Sequence, residues 1–128
     1  MKSNGDLAQK WLKLAEAEFV AAEALLEAGE ALQGACFHSQ QAAEKSLKAW
    51  LIAHDIDPPK THELKDLIAL CTRIETRFND VLTDADALTE YAVERRYDAD
   101  FWPPMDEARI ALQRARRIFD FVKSHWGK

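Results

Sequence analysis

Three polar side chains stand on helical faces that the rest of the sequence fills with apolar residues. Glu18 falls inside the apolar stripe of the first predicted helix, and Gln40 and Glu44 fall inside and beside the stripe of the second. A buried carboxylate must bond to a cation or to several hydrogen-bond donors, or else take up a proton. The cations that the sequence offers for this purpose are Lys45, Lys48, Arg95 and Arg96.

Two interpretations of these polar residues follow. In the first, they form an internal network that satisfies itself and fixes the register of the helices. In the second, they line a polar cleft between helices, and the cleft holds a ligand. A bidentate bond between an arginine and a glutamate would suit the tight interior of a helical bundle. The residue types alone leave both interpretations open.

Conventional catalytic and metal-binding patterns are absent from the sequence. The four histidines are scattered, and none belongs to a pattern such as H-E-x-x-H. We expect His54 to be packed or to end its helix, and His62, in the first turn of the third helix, to be structural. No glycine-rich phosphate loop is present. Cys36 and Cys71 lack a metal-type spacing and fall on apolar stripes, which predicts two buried free thiols.

The charge of the chain argues against one class of partner. The formal net charge is −5, whereas a protein that wraps DNA needs an excess of cations. The charge is uneven, because six of the eight arginines lie between Arg95 and Arg117. This local surplus indicates either an anion site or a solvated face.

Helical periodicity, together with helix start and stop signals, predicts five helices. Ser3 or Asn4 is expected to cap the first helix, Gly29 to end it, and Thr61 to cap the third. A loop is expected near residues 77–83. The predicted helices span about residues 6–27, 32–54, 61 onward, 84–94 and 104–126.

Each predicted helix has an apolar face at helical spacing. On the fifth helix Ile110, Ile118 and Phe121 lie off the main seam, which indicates either a homodimer surface or cover by neighbouring helices. The faces expected to be buried are Leu7, Trp11, Leu14, Ala21 and Leu25; Cys36, Ala43, Leu47, Trp50 and Leu51; Leu64, Leu67, Ile68, Cys71 and Ile74; Ala85, Leu88, Tyr91 and Ala92; and Met105, Ala108, Leu112, Ala115, Phe119, Val122 and Trp126.

The sequence has no alternating strand pattern and no internal repeat, which makes the fold class all-α. We expect an antiparallel helical bundle of four main helices plus a short additional helix, forming a single domain over residues 1–128. The start of the chain lacks the apolar core of a signal peptide, and no stretch is long enough to span a membrane. A cytoplasmic protein without membrane association is therefore expected.

Several segments, taken together, resemble the HEPN domain, a family of small helical domains that occurs in higher eukaryotes and prokaryotes. The resemblance covers Trp11 to about Val122, nearly the whole chain. Its specific part is the combination of Q-Q-A-A-E-K-x-L-K-A with T-H-x-L and then R-Y. The matching segments, in the family's order and spacing, are WLKLAEAEF, CFHSQQAAEKSLKAWL, THELKDLIAL and YAVERRYDADFWPPMDEARIAL.

The resemblance implies a helical bundle that usually dimerises and that has been proposed to bind nucleotides. Prokaryotic members are often encoded beside a minimal nucleotidyltransferase with which they form a complex, and several such pairs act as toxin–antitoxin systems. One large branch consists of metal-independent ribonucleases that carry an arginine, four to six further residues and then a histidine. In that motif the histidine handles a proton and the arginine holds the phosphate.

The ribonuclease motif is absent from this sequence. Neither Arg95 nor Arg96 has a histidine at the required distance, since the positions concerned are residues 100–103, and the other arginines fail too. The chain therefore resembles the non-nuclease branch, whose mark is an R-Y dipeptide, here Arg96 and Tyr97. That branch often has a proline after the tyrosine, whereas this chain has Asp98.

The family's shared polar positions, transferred residue by residue, give a set of candidate ligand contacts. None of them is assigned a catalytic role. Arg96 is the expected anion contact, and Lys45 and Lys48 are its supporting cations. No metal and no cofactor is expected, and a nucleotide is the ligand that the resemblance implies. The candidate ligand contacts are Glu18, Gln41, Glu44, Lys45, Lys48, His62, Arg96 and Tyr97.

Aromatic residues near the end of this set have two interpretations. Tyr97, Phe101 and Trp102 would supply a stacking surface for a base. Equally, Phe101 and Trp102 would plug one end of the bundle.

Three functions are consistent with the sequence. The first is a non-catalytic HEPN protein that forms a homodimer and binds a minimal nucleotidyltransferase, a nucleotide or both. The second is a metal-independent ribonuclease toxin that cleaves RNA at an unconventional site, in which Arg95, Arg96 and His62 converge. The third is a scaffolding dimerisation module in which Glu18, Glu44 and Arg96 satisfy one another. The missing motif favours the first function over the second.

Overall fold

A computed structural model describes residues 3–92 and 99–127 of the chain. Within those ranges the regular secondary structure is entirely helical, which confirms the all-α fold class and the helical bundle. No helix of these two ranges is long and apolar enough to cross a membrane. The helices are α1 (Asn4–Ala28), α2 (Leu32–Ala53), α3 (Leu64–Thr72), α4 (Leu82–Thr89) and α5 (Met105–Ser124), and a 3₁₀ helix (Thr76–Val81) runs directly into α4.

Helix α1 begins and ends at the signals that the sequence provides. The backbone N–H of Asp6 donates to Oγ of Ser3 (3.1 Å), and the N–H of Ser3 donates to Oδ2 of Asp6 (3.4 Å), which forms a capping box. At the other end Gly29 has a left-handed backbone with φ of 69°, and its N–H donates to the carbonyl of Leu25 (2.9 Å). The expected cap at Ser3 and stop at Gly29 are both confirmed.

The predicted buried face of α1 is wrong by about one residue. Leu7 and Leu14 of that face are exposed, and Trp11, Ala21 and Leu25 are only half-buried. Helix α1 therefore has two apolar faces side by side. One of them is buried in the core, and the other contacts the core only through half-buried residues such as Trp11 and Leu25. The buried face consists of Ala8, Leu12, Ala15, Phe19 and Ala22.

Alanines explain why the neighbouring face was preferred in the prediction. Helices α1 and α2 pack against each other, and each carries a row of buried alanines at seven-residue spacing. Small side chains allow two helices to approach closely, so these rows pack well although they hold little apolar bulk. A pattern search that weights large residues selects the wrong face. The rows are Ala8, Ala15 and Ala22 on α1 and Ala35, Ala42 and Ala49 on α2.

Helix α2 is the central element, because it contacts all four of the other α-helices. Its predicted apolar face is buried, and so are polar residues on its other sides: Oγ of Ser39 and Oγ of Ser46 donate to carbonyls one turn earlier (2.8 and 2.7 Å). Trp50 is fully buried, and its Nε1 donates to the carbonyl of His125 (3.1 Å). Only a narrow strip of α2 stays near the surface, and it includes Phe37, His38, Gln41 and Lys45.

Helix α3 begins three residues later than predicted. Thr61 does not cap it, because Oγ1 of Thr61 accepts from the N–H of Glu63 (3.0 Å) in a local turn. The N–H of Leu64 is satisfied instead by Oγ1 of Thr89 on α4 (3.2 Å). The helix ends before Ile74, which the sequence analysis placed in the core and which is exposed.

The predicted loop near residues 77–83 is mostly the 3₁₀ helix. The reason is Phe78, which is fully buried and packs against Trp50 (4.6 Å between ring centroids) and Phe121 (4.7 Å). Helix α4 starts two residues earlier than expected and ends at Thr89 instead of near residue 94. Of its predicted face, Ala85, Leu88 and Tyr91 are buried, whereas Ala92 is only half-buried, and Tyr91 and Ala92 lie beyond the end of the helix.

Helix α5 buries part of its predicted seam and part of its second apolar face. The seam residues Met105, Leu112 and Trp126 were expected to be buried but are only half-buried. Ile118 is fully buried, and Phe121 packs edge-on against Phe78. The bundle itself therefore covers these two residues, whereas Ile110 stays exposed. The buried seam consists of Ala108, Ala115, Phe119 and Val122.

Both cysteines are buried free thiols, as predicted. Burial raises the pKa of Cys36 to about 12, and the carboxylates of Glu107 and Glu90 add to the shift. Burial also raises the pKa of Cys71 to about 12. At neutral pH both side chains are therefore packed, protonated core residues without nucleophilic character.

Candidate functional site

Eight polar side chains come together on one side of the bundle, between α1 and the segment that connects α2 to α3. Six of them project from α2, where they follow one another at helical spacing and so share one side of that helix. We call this group the polar cluster. It consists of Glu18, His38, Gln40, Gln41, Glu44, Lys45, Lys48 and His62.

Glu18 is the centre of the first half of the polar cluster. Its Oε1 lies 2.6 Å from Nδ1 of His38, and its Oε2 accepts from the ammonium group of Lys45. His38 and Lys45 are two turns apart on α2, so both reach the same carboxylate on α1. This half of the cluster joins the two helices by charge-assisted bonds at a half-buried position.

Glu44 is the centre of the second half, which is deeper. Its Oε1 lies 2.9 Å from Nδ1 of His62 and 3.2 Å from the side-chain nitrogen of Gln40, and its Oε2 accepts from Lys48 (3.1 Å). Three donors thus converge on one buried carboxylate, which is what a carboxylate needs in order to stay ionised in an interior.

Gln40 connects the cluster across the helix. It is fully buried, and its Nε2 donates both to Glu44 and to the backbone carbonyl of His62 (3.4 Å). Its Oε1 accepts from Nε2 of Gln41 (2.8 Å), which lies on the half-buried strip of α2. Both the side-chain nitrogen and the side-chain oxygen of Gln40 therefore form hydrogen bonds, although the residue lies within an apolar stripe.

The polar cluster balances its charges internally. Glu18 and Glu44 supply two carboxylates, Lys45 and Lys48 supply two ammonium groups, and each carboxylate is bonded to one of them. A phosphate group that approached either lysine would have to compete with a carboxylate that is already in place. The two lysines are thus held as structural partners of the glutamates.

A cavity of about 280 Å³ adjoins the cluster at Lys48. The ammonium group of Lys48 lies 6.0 Å from the ring centroid of Trp11, so this lysine belongs to both the cluster and the cavity wall. The cavity lies between the start of α1, the end of α2 and the connecting segment. It is lined by Leu7, Trp11, Lys48, Ile52, Asp57, Pro58, Pro59 and Lys60.

Six of the eight candidate ligand contacts proposed from the sequence come together in the polar cluster. The other two, Arg96 and Tyr97, lie outside the described residues, as does Arg95. Of the nearby aromatic residues, Phe101 is buried and its ring stacks on that of Tyr91 (5.8 Å). Trp102 is 75% exposed and so does not plug the bundle.

Sequence reasoning missed His38 as a member of the site. The available signal was its position seven residues before Lys45, on the same side of α2 as the residues that were selected. Its isolation from other titratable residues in the sequence hid a partner that lies on another helix, Glu18.

A second buried charge group was also missed. Asp84 of α4 accepts from Arg114 (2.9 Å) and, in a two-pronged bond, from Arg117 (2.7 Å to Oδ1 and 3.1 Å to Oδ2). The two arginines are one turn apart on α5, so both reach the same carboxylate. Two of the arginines near the end of the chain therefore have a structural role, because they bond α5 to α4.

The described part of the site offers no metal position. Within residues 3–92 and 99–127, no three histidine, cysteine or acidic side chains are grouped in a way that could hold a metal ion. The polar cluster presents hydrogen-bonding groups at the surface through the half-buried His38 and Gln41 and the exposed His62.

The chain is similar over nearly its whole length to known helical domains. The model of the HEPN domain matches residues 8–125. The crystal structure of TT1696 from Thermus thermophilus is 31% identical, with a TM-score of 0.80 over 91% of this chain and 96% of that one. The structure of ST0689, an archaeal HEPN homologue, is 26% identical, with a TM-score of 0.74 over 98% of both chains. No curated protein matches the chain. From the family match and the shared fold, the chain belongs to the HEPN domain family.

Proposed function

We propose that this HEPN protein is a non-catalytic binding module that acts in the cytoplasm with a protein partner. The partner that the resemblance implies is a minimal nucleotidyltransferase, in a pair of the toxin–antitoxin type. The observation that carries the proposal is the charge balance of the polar cluster. Lys45 and Lys48 are bonded to Glu18 and Glu44, so the cluster offers a partner a neutral hydrogen-bonding surface rather than a cationic pocket. The absence of the arginine–histidine spacing supports a non-catalytic role.

An apolar surface beside the polar cluster supports a protein contact at this side of the bundle. Leu7, Trp11 and Leu14 lie on one side of α1, and we call them the α1 patch. Leu7 and Leu14 are exposed, and Trp11 lies under the ammonium group of Lys48, so the patch and the polar cluster are continuous. Apolar and aromatic residues bordered by polar groups are typical of protein contact surfaces. The homodimer that we propose is formed through this patch.

Co-purification tests the partner half of the proposal. A tagged chain is expressed together with the product of its neighbouring gene, and the two proteins are expected to elute at a fixed ratio. Gln41→Arg adds an unpaired cation to the neutral surface and is expected to abolish co-purification. Lys13→Glu, at an exposed position on α1 outside the cluster, serves as the control. If the wild-type chain co-purifies with no partner, the proposed protein partner is wrong. If Gln41→Arg co-purifies with the partner as the wild type does, the polar cluster is not the binding surface.

Light scattering after gel filtration tests the homodimer. Leu14→Glu places a charge in the α1 patch and is expected to convert dimers to monomers. Val20→Glu is the matched control, because Val20 lies on another side of α1 and is 69% exposed, compared with 48% for Leu14. A wild-type monomer, or equal behaviour of the two variants, would contradict a dimer at this surface.

Nucleotide binding is the second candidate, and the cavity at Trp11 favours it. The cavity offers an indole ring to a base, and the exposed Lys60 at its rim forms no ion pair with any described residue. Its volume lies at the small end for ligand sites, which suits a base better than an entire nucleotide. Calorimetric titration with a nucleotide panel, using the wild type, Trp11→Ala and Arg96→Ala, tests this function. Absence of heat with every nucleotide would exclude it.

Incubation with RNA tests the non-catalytic part of the proposal. The wild-type protein is expected to leave total RNA intact, with and without Mg²⁺. Cleavage by the wild type that disappears in His62→Ala would overturn the proposal in favour of a ribonuclease with an unconventional site. The same preparation of His62→Ala must be shown to be folded by circular dichroism.

A further inference from the structure

At each of the four histidines of the chain, Nδ1 faces a carbonyl or carboxylate oxygen. For His54 and His125 this oxygen is a backbone carbonyl one turn earlier (2.9 Å in both cases). For His38 and His62 it belongs to a carboxylate. For His38 and His62, where this oxygen is a carboxylate, the neutral ring must carry its proton on Nδ1, which leaves the lone pair on Nε2. Nδ1 of His125 also lies 3.0 Å from Oγ of Ser124, a hydroxyl that can donate as well as accept.

His62 differs from the other three in what holds it and in what it exposes. Its side chain is 55% exposed, whereas its partner Glu44 is only 6% exposed. The ring is held through Nδ1 by Glu44, and the backbone carbonyl of the same residue is held by the fully buried Gln40. Within residues 3–92 and 99–127, no hydrogen bond is made by Nε2 of His62.

The support behind His62 is itself fixed. The second oxygen of Glu44 is bonded to Lys48, and the amide of Gln40 is bonded at both ends, so neither residue is free to rotate without losing a buried hydrogen bond. A carboxylate bonded to one nitrogen of an imidazole fixes the tautomer and the orientation of the ring.

From this arrangement we infer that Nε2 of His62 is a positioned hydrogen-bond acceptor, presented at the surface for an O–H or N–H donor. Glu44 and Gln40 are the positioning residues, and Lys48 holds Glu44. Because the ring is already fixed, little rotational freedom is lost when a donor binds. An acceptor group at the same point of a partner would meet the lone pair and be rejected. The identity of the donor as a group of a protein partner rests on the proposed function, whereas the positioning of His62 does not.

Labelling with diethyl pyrocarbonate tests this inference on the protein alone. The reagent acylates an unprotonated imidazole nitrogen, and mass spectrometry of the peptides gives a rate for each histidine. Labelling is carried out at about pH 8.5, where an ordinary imidazole is unprotonated, so that the rate reports how well the lone pair is presented. Glu44→Gln retains the shape of the side chain but removes its charge, and it is expected to slow the labelling of His62 severalfold, because the ring is held less firmly. The labelling rates of His38 and His125 are expected to stay unchanged, which also shows that the variant is folded.

Glu18→Gln provides the reciprocal control. It is expected to slow the labelling of His38, whose Nδ1 is bonded to Glu18, and to leave His62 at the wild-type rate. Nitrogen NMR of the wild type at about pH 8.5, where an ordinary imidazole is neutral, is expected to show the protonated Nδ1 and unprotonated Nε2 tautomer for His62. The opposite tautomer, or equal labelling rates of His62 in the wild type and in Glu44→Gln, would overturn the inference. Neither result depends on whether a partner co-purifies, so failure here is distinct from failure of the proposed function.

Discussion

Glu44 and Lys48 are one turn apart on α2 and form a buried ion pair, with Oε2 and Nζ separated by 3.1 Å. Their side chains are only 6% and 11% exposed. The pair is the point at which the polar cluster, the Trp11 cavity and the core of the bundle meet. Its charges are tolerated because His62 and Gln40 supply further donors to the carboxylate.

Lys48→Met is expected to lower the free energy of unfolding by about 3 kcal/mol, because it leaves the carboxylate of Glu44 buried without its cation. Urea unfolding measures this loss as a lower midpoint with an unchanged slope. Glu44→Gln combined with Lys48→Met is expected to recover part of the loss, since it removes the uncompensated charge.

Lys13→Met is the control for this pair, because Lys13 is an exposed lysine on α1. It is expected to change the free energy of unfolding by less than about 0.5 kcal/mol. Equal stabilities of Lys48→Met and Lys13→Met would show that the buried pair contributes nothing.

The polar cluster was predictable where a single helix determines it. On α2 the helical period places Gln40 and Glu44 among apolar residues, and the structure buries both. The pairing of Lys45 with Glu18 could not be predicted, because a period states which side of a helix a residue occupies but not what lies opposite. Arg96, which was expected to serve this interior, lies outside the described residues.

The predictions that were wrong overlooked contacts that helical periodicity does not reveal, namely close packing of small side chains, a local turn and an ion pair between distant residues. Helix α1 was assigned the face of Leu7 and Leu14 because the buried alanines of the other face carry little apolar bulk. The start of α3 was placed at Thr61 because a threonine often caps a helix, yet here its hydroxyl accepts from Glu63 in a turn. Asp84 and Arg117 are 33 positions apart, and periodicity within one helix gives no sign of such a pair.

Asp84→Asn is expected to lower the free energy of unfolding by about 2 kcal/mol, because two guanidinium groups lose the charge that they share. The bond to Asp84 also raises the pKa of Arg117, which indicates that the carboxylate stabilises this cation. Thermal or urea unfolding provides the measurement. Asp86→Asn, at an exposed position on the same helix, is the control and is expected to be nearly neutral. Equal losses of stability in the two variants would show that the bonds of Asp84 to Arg114 and Arg117 do not stabilise the contact between α4 and α5.

Stability is expected to fall as the pH rises above about 9, because of the buried thiols. The unfolded chain releases each thiol proton near the ordinary value of 9.0, whereas burial raises the pKa of Cys71 to about 12 in the folded chain. The unfolded state therefore binds fewer protons than the folded state between these values, so each thiol lowers the stability by up to about 1.4 kcal/mol per pH unit. Burial also raises the pKa of Tyr91, whose hydroxyl donates to Glu107 (2.6 Å), and this acts in the same direction.

Cys71→Ala isolates one of these contributions. Denaturant unfolding under reducing conditions at pH 8 and pH 10 is expected to show a smaller loss of stability for the variant than for the wild type. Because other groups titrate equally in both proteins, the difference between the two losses belongs to the thiol. The same loss in both proteins would mean that Cys71 ionises as easily in the folded chain as in the unfolded one.

Gly29→Ala and Gly5→Ala are expected to change stability in opposite directions. Both positions have room for a methyl group, since the nearest atoms to an added Cβ are Cε of Met105 at 3.9 Å and Oγ of Ser3 at 3.6 Å. Only Gly29 has a left-handed backbone, with φ of 69°, and alanine there is expected to cost about 1 kcal/mol. Gly5 is helical, and alanine there is expected to add about 0.5 kcal/mol by restricting the unfolded chain. Thermal unfolding of the two variants measures both effects, and a loss of stability in Gly5→Ala would show that α1 does not extend to its capping box in solution.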